Sequence, residues 1–152
     1  MTIRRVLVAV DDSPPALRAA QVALELASDW HVRLRFVTVS TDHALGALLD
    51  TAAPDGGATE RIEQASRSVL RHLADTARSQ GLDVEAMPLA GEPSRQILDE
   101  AQSWQADLIV MGRSDRRGPS SPYLGSVTAH VLEFAECPVL VVPRGPIDEP
   151  EE

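Results

Sequence analysis

The run Val6-Leu7-Val8-Ala9-Val10-Asp11-Asp12-Ser13-Pro14-Pro15 carries an extended chain into a helix with almost nothing between them. Val6 to Val10 is apolar on both faces, the pattern of a parallel strand covered on both sides. Ser13 is suited to cap a helix, and Pro14 to hold its first position, where a missing N–H costs nothing. Beyond it, Arg18, Gln21, Glu25 and Ser28 recur at three-to-four spacing as one polar stripe. The remaining surface of that helix is Ala, Leu and Val, able to lie on a sheet.

The same alternation runs to the end of the chain. Val32 to Val39 reads as a second strand, with Leu34, Phe36 and Thr38 on one side and Arg33, Arg35, Val37 and Val39 on the other. The two arginines come early, where a strand end is expected to be wet. Ile62, Ala65, Val69, Leu73 and Ala77 form the apolar face of a helix that Gly81 closes. Leu82 to Leu89 is a weaker strand, and Pro88 assigns it to a sheet edge. Gly91-Glu92-Pro93-Ser94 opens a helix with Ile97, Leu98, Ala101 and Trp104 inward. Leu108 to Met111 is a fourth strand. A last helix carries Val127, Val131, Phe134 and Ala135, and Val139 to Val142 is a fifth strand. Trp30 and Trp104, at helix ends, are expected to close the core. Strands alternating with helices in this way predict an α/β fold, a single parallel sheet with right-handed crossovers. One connection, Thr41 to Gly57, is far longer than such units need. Its apolar centre, Ala44 to Leu49, suits a short extra helix on the domain, a flap over a ligand, or a partner surface.

Length and composition bound the rest. A chain of 152 residues fits one domain. Residues 1–144 are read as that domain and 145–152 as an acidic, flexible tail. With 43% hydrophobic and 24% charged residues, wholesale disorder is excluded. The longest apolar runs are far short of a membrane span. A net charge of −9 disfavours binding to nucleic acid phosphates. All 14 basic residues are Arg. Schiff-base chemistry and a lysine-dependent phosphate loop are thereby ruled out for this chain. Cys137 has no partner for an internal disulfide and no secretory leader opens the chain, so a cytoplasmic location is expected. His31, His43, His72 and His130 stand at no metal-ligand spacing, and no metal site is expected.

In an open parallel sheet a ligand sits beyond the carboxyl ends of the strands, where strand order reverses. Asp11 follows the first strand and Gly112 the fourth. Asp11 could accept hydrogen bonds from a ribose, or bind the amides of its own turn. Gly112 allows a close backbone approach. Gly125-Ser126 opens an amphipathic helix whose free N–H groups attract an anion, and Ser126 could instead cap it. Arg113, Arg116 and Arg117 concentrate positive charge in an otherwise acidic chain, as a phosphate site or simply a solvated loop.

These residues resemble the universal stress protein family from Arg4 to Pro143. The likeness rests on Val8-Ala9-Val10-Asp11-Asp12-Ser13, Gly91-Glu92-Pro93, Asp107-Leu108-Ile109-Val110-Met111-Gly112, Gly125-Ser126-Val127 and Cys137-Pro138-Val139-Leu140-Val141-Val142-Pro143. The resemblance implies a five-stranded sheet in order 3-2-1-4-5 with helices on both faces, a Rossmann-like fold of the adenine nucleotide alpha hydrolase type. It implies a homodimer joined through Val139–Val142, acting in stress adaptation. It implies an adenine nucleotide, ATP or AMP, bound without fast turnover; any ATP hydrolysis would be slow. Asp11 and Val39 would contact the nucleoside, Ala9 and Met111 would border it, and Gly112, Gly125 and Ser126 would hold phosphate. Arg113 and Val127 complete the expected site. The ATP-binding pattern G-x2-G-x9-G-[ST] is met by Gly112, Gly125 and Ser126, but Asp115 stands at its second glycine. A carboxylate there weakens the case for a triphosphate, and a Mg2+ requirement stays open. The alternative is a module of the same fold that needs no nucleotide and meets an unidentified protein through the Gly112–Ser126 and Thr41–Gly57 loops.

Overall fold

The computed structural model describes residues 2–11, 13–40, 58–113 and 124–145. The Thr41–Gly57 connection, Asp115 and the chain beyond Gly145 lie outside the described residues. The elements are β1 (Arg5–Ala9), α1 (Pro14–Trp30), β2 (Arg33–Ser40), α2 (Ala58–Ser79), β3 (Val84–Ala90), α3 (Pro93–Trp104), β4 (Leu108–Gly112), α4 (Ser126–Phe134) and β5 (Val139–Val142). The sheet order is β3-β2-β1-β4-β5, every pair parallel. Val6 lies beside Leu34 on one side and Leu108 on the other, so β1 is the central strand. Pro88 is on β3, an edge strand, as its missing N–H requires.

Each face of the sheet carries its own core. Val6, Val8, Leu34, Phe36 and Val110 face α1 and α2, meeting Ala19, Ala20, Ala23 and Ala27 of α1 and Leu70, Leu73 and Ala77 of α2. The alanines let α1 lie close to the strands, since no long side chain separates them. Leu7, Val37, Ile109 and Met111 face the other way, toward Ile97, Ala101 and Trp104 of α3 and Val131 of α4. Burial on both sides explains why β1 reads as an unbroken apolar run.

Helix ends follow local chemistry. Ser13 caps α1, its hydroxyl accepting from the Ala16 N–H at 3.4 Å. Glu92 caps α3, accepting from the Arg95 N–H at 2.9 Å and the Ser94 hydroxyl at 2.7 Å. These bonds, the Ser94 one first, hold the Glu92 carboxyl below its usual range. α1 and α3 both end on left-handed residues that are not glycine, His31 at φ 55° and Gln105 at φ 58°. No glycine marks either end, so neither stop is visible as a sequence signal.

Several expectations need correction. Trp104 is buried, but Trp30 is 49% exposed and closes nothing. Phe134 is 58% exposed, because α4 turns Thr128 and Val131 inward instead. Ala65 is exposed, and α2 is buried through Leu70, Leu73, Ala74 and Ala77 from its second half. Arg35 is not wet. Its side chain is 13% exposed, and its guanidinium pairs with Glu85 of β3 and Glu100 of α3 and lies 4.5 Å from the Trp104 ring centre. It stacks α3 onto the sheet through charge and aromatic contact together. Arg33, by contrast, keeps the expected exposure and meets Asp83 at the surface.

Asp107 fastens the start of β4 to the start of β1. Its carboxylate accepts the Arg4 and Arg5 N–H groups at 2.9 Å each. Those two bonds hold the Asp107 carboxyl below the usual aspartate range. The sign follows from linkage: a carboxylate depressed on folding stabilises fully above its unfolded value and loses that stabilisation as pH falls through the folded one.

Two outcomes are expected. Glu100→Ala, which strips a partner from a mostly buried arginine, should cost about 2–3 kcal/mol in urea unfolding, whereas Asp83→Ala should cost less than about 1 kcal/mol. Asp107→Asn should lower the urea midpoint at about pH 7, and the gap to the parent chain should narrow as pH drops below about 4. A gap that stays constant with pH would refute the linkage.

Candidate functional site

The strand ends at the centre of the sheet part company. The Val10 N–H leans to β2, bonding the Val37 carbonyl at 2.9 Å. The Arg113 N–H leans to β5, bonding the Val142 carbonyl at 2.8 Å. β1 and β4 are neighbours through Val8 and Val110, and beyond that level they separate. The gap between them is a crevice of about 460 Å³. This is the topological switch point, where open sheets of this type bind ligands, and the volume falls within the range of ~300–1,000 Å³ for small-molecule sites.

All nine expected residues line it. Ala9 and Asp11 come from the end of β1, Val39 from β2, and Met111, Gly112 and Arg113 from the end of β4. Gly125, Ser126 and Val127 come from the start of α4. Val10, Ser13, Ala16, Val37, Pro93, Ile97 and Thr128 also line the crevice and were not anticipated. Pro93 and Ile97 reach it because α3 begins at the same sheet end; Gly91-Glu92-Pro93 was legible as a helix start, and its place over the mouth follows only from topology. Thr128 is hidden for another reason. It is 4% exposed, and its hydroxyl donates to the Gly112 carbonyl at 3.1 Å, tying α4 to β4.

Asp11 is exposed, and its Oδ1 accepts the Ser13 N–H at 2.8 Å. One oxygen thus serves its own turn, and that bond also sets the direction of the carboxylate at the crevice mouth. Gly112 has a structural reason for its identity. A Cβ there would lie 2.5 Å from the Pro15 carbonyl carbon and 2.7 Å from the Ala16 nitrogen. The close approach is therefore to the first turn of α1. Gly125 precedes α4 at φ 90° and ψ 148°, a conformation that side chains disfavour. It is the N-cap residue, with no side-chain capping bond, so Ser126 does not cap the helix. The amides of the first turn have no acceptor within the helix, and the dipole adds positive potential there.

The chemistry of the crevice is simple. Its walls are apolar, with Ala9, Val37, Val39, Ile97, Met111 and Val127. Among the described residues lining it, Asp11 is the one anion and Arg113 the one cation. Among the described residues there is no cluster of three metal-ligating side chains. A second cavity of about 400 Å³, at the opposite end of α3, is lined by Phe134 and Cys137 among others. Burial first, then the nearby Asp107 charge, pushes the Cys137 thiol up. It is therefore held as a neutral thiol, which is a poor nucleophile. Size hardly separates the two cavities; the converging strand ends, helix start and opposite charges do.

Gly112→Ala is expected to unseat the start of α1, because the obstructing atoms are backbone. The cost should be about 1–3 kcal/mol in urea unfolding, the usual range for overpacking. An unchanged midpoint would show that the two segments have room to part.

A match to the Universal stress protein family spans residues 2–143. Universal stress protein MJ0531 of Methanocaldococcus jannaschii is 28% identical over 145 residues, covering 93% of this chain and 82% of that one. A universal stress protein crystallised in complex with cAMP shares 25% identity and superposes with a TM-score of 0.68, over 95% of this chain and all of that one. The universal stress protein from Archaeoglobus fulgidus in complex with dAMP is 27% identical, with a TM-score of 0.64, over 93% of this chain and 99% of that one.

Proposed function

The chain belongs to the universal stress protein family, and from that premise we propose that it binds an adenine nucleotide in the crevice between β1 and β4. The observation that carries this reading is the meeting of Asp11, Arg113 and the start of α4 around one apolar cavity. The base lies against Val39, Ala9 and Met111, and the ribose offers hydroxyls to Asp11. The phosphate meets Gly112, Arg113 and the amides of Gly125, Ser126 and Val127. The nucleotide complexes of the two relatives support the ligand class.

The bound nucleotide acts as a signal in stress adaptation rather than as a fuel. With no lysine in the chain, phosphoryl transfer lacks the ammonium that a phosphate loop supplies, and any hydrolysis is slow. Asp115 in place of the pattern glycine favours AMP over ATP by charge. The chain works as a homodimer joined through β5, an edge strand on which Leu140 is 37% exposed. A cytoplasmic location accords with the single cysteine; no described helix is long and apolar enough to cross a membrane. We assign residues 1–144 to the domain.

Thermal unfolding in the presence of AMP or ATP tests this reading. Ligand at a hundred times its Kd stabilises by ~2.7 kcal/mol, which should raise Tm by about 5–10 °C in a domain of this size. Asp11→Ala should shrink that rise. No shift with either nucleotide at millimolar concentration would favour the protein-interaction module instead.

A further inference from the structure

Resting on the nucleotide reading above, the geometry points to a selectivity within that ligand class: the crevice takes a nucleoside 5′-monophosphate with free ribose hydroxyls in preference to its 3′,5′-cyclic form. The argument begins with two charges that do not meet. Asp11 and Arg113 follow adjacent strands and both line the crevice. No ion pair within 4.0 Å joins them. The reason is the parting of the strand ends, Val10 toward β2 and Arg113 toward β5. A ligand lying between them meets an acceptor on one side and a cationic donor on the other.

Each charge discriminates in the same direction. Arg113 has its backbone set by the Val142 carbonyl, and the preceding carbonyl, that of Gly112, is held by Thr128. A guanidinium fork recognises a phosphomonoester well, because that group carries about −1.5 to −2 charge and three terminal oxygens near pH 7. A cyclic diester carries one charge and two terminal oxygens, leaving the fork less to bind. Asp11, whose Oδ1 is engaged by its own turn, acts toward a ligand purely as an acceptor. It therefore rewards free ribose hydroxyls. Closing the cyclic ester consumes the 3′ hydroxyl and removes one such donor. The other side chains lining the described crevice are uncharged, so nothing there favours the cyclic form in compensation.

Isothermal titration with AMP and with cyclic AMP tests the selectivity on the full chain, on Arg113→Gln and on Asp11→Asn. The parent chain should bind AMP at least about tenfold more tightly, a difference of the size that one charged hydrogen bond supplies. Arg113→Gln should weaken AMP by about tenfold and cyclic AMP much less. Asp11→Asn should likewise narrow the ratio. Lowering the pH from about 7.5 to about 5.5 protonates the monoester, whose second pKa is about 6, and should weaken AMP more for the parent chain than for Arg113→Gln. Among the described residues, Glu92, held ionised by its capping bonds, directly precedes the lining Pro93, and His130 is exposed one turn into α4. Cyclic AMP does not titrate in that range, so its own pH response isolates any effect of those groups. Equal affinity for the two ligands, or an Arg113→Gln loss shared equally by both, would overturn the selectivity while leaving nucleotide binding intact. Binding of neither ligand would remove the nucleotide reading and this inference with it.

Discussion

The contact between Gly112 and the first turn of α1 sets the geometry on which everything else rests. β4 can end against the Pro15–Ala16 backbone only because Gly112 has no side chain. That contact brings the start of α1, the turn at Asp11 and the end of β4 into one place. Thr128 then draws α4 to the same carbonyl-bearing residue. Three segments remote in the chain thus converge on a single glycine. The crevice beside it is what remains once β1 and β4 lean toward their outer neighbours.

Charge is used very differently in the two halves of the molecule. At the amino ends of the strands, Arg35 is enclosed by Glu85, Glu100 and Trp104, and its charge is spent on holding α3. Its Nε is buried without a hydrogen-bond partner among the described residues. That cost is tolerable where the guanidinium is otherwise paired and stacked. At the carboxyl ends, Asp11 and Arg113 stay apart and face a cavity. A cation closed in by two carboxylates and a ring makes a joint; Asp11 and Arg113, kept apart, each present an unneutralised charge to the cavity.

The fold was legible because its signals are local and repeated. Val6–Val10 and Leu108–Met111 read as covered strands, Ser13-Pro14 as a helix start, and Pro88 as the mark of an edge. The sheet order was another matter: it came from the resemblance, since alternation alone does not say which side of β1 receives β4. What failed to show in the sequence depended on tertiary direction. Arg35 looked like a wet strand residue because nothing local announces Glu100, 65 positions away. Phe134 and Trp30 looked like core because they are large and apolar, yet helix rotation leaves both exposed. The candidate site shows the same division. Asp11, Gly112, Gly125 and Ser126 stand out as turn and helix-start residues. Ile97 and Thr128 are indistinguishable from packing residues until the sheet brings their helices to the mouth. The Thr41–Gly57 segment and Asp115 fall outside the described residues.

The two tryptophans give the chain a built-in optical contrast. Trp104 is 8% exposed and lies under a guanidinium, whereas Trp30 is 49% exposed at the end of α1. Aqueous quenchers such as acrylamide will reach the indole of Trp30 long before that of Trp104. Neither indole lines the crevice, so the pair reports melting of the two helical layers while remaining blind to occupancy of the mouth.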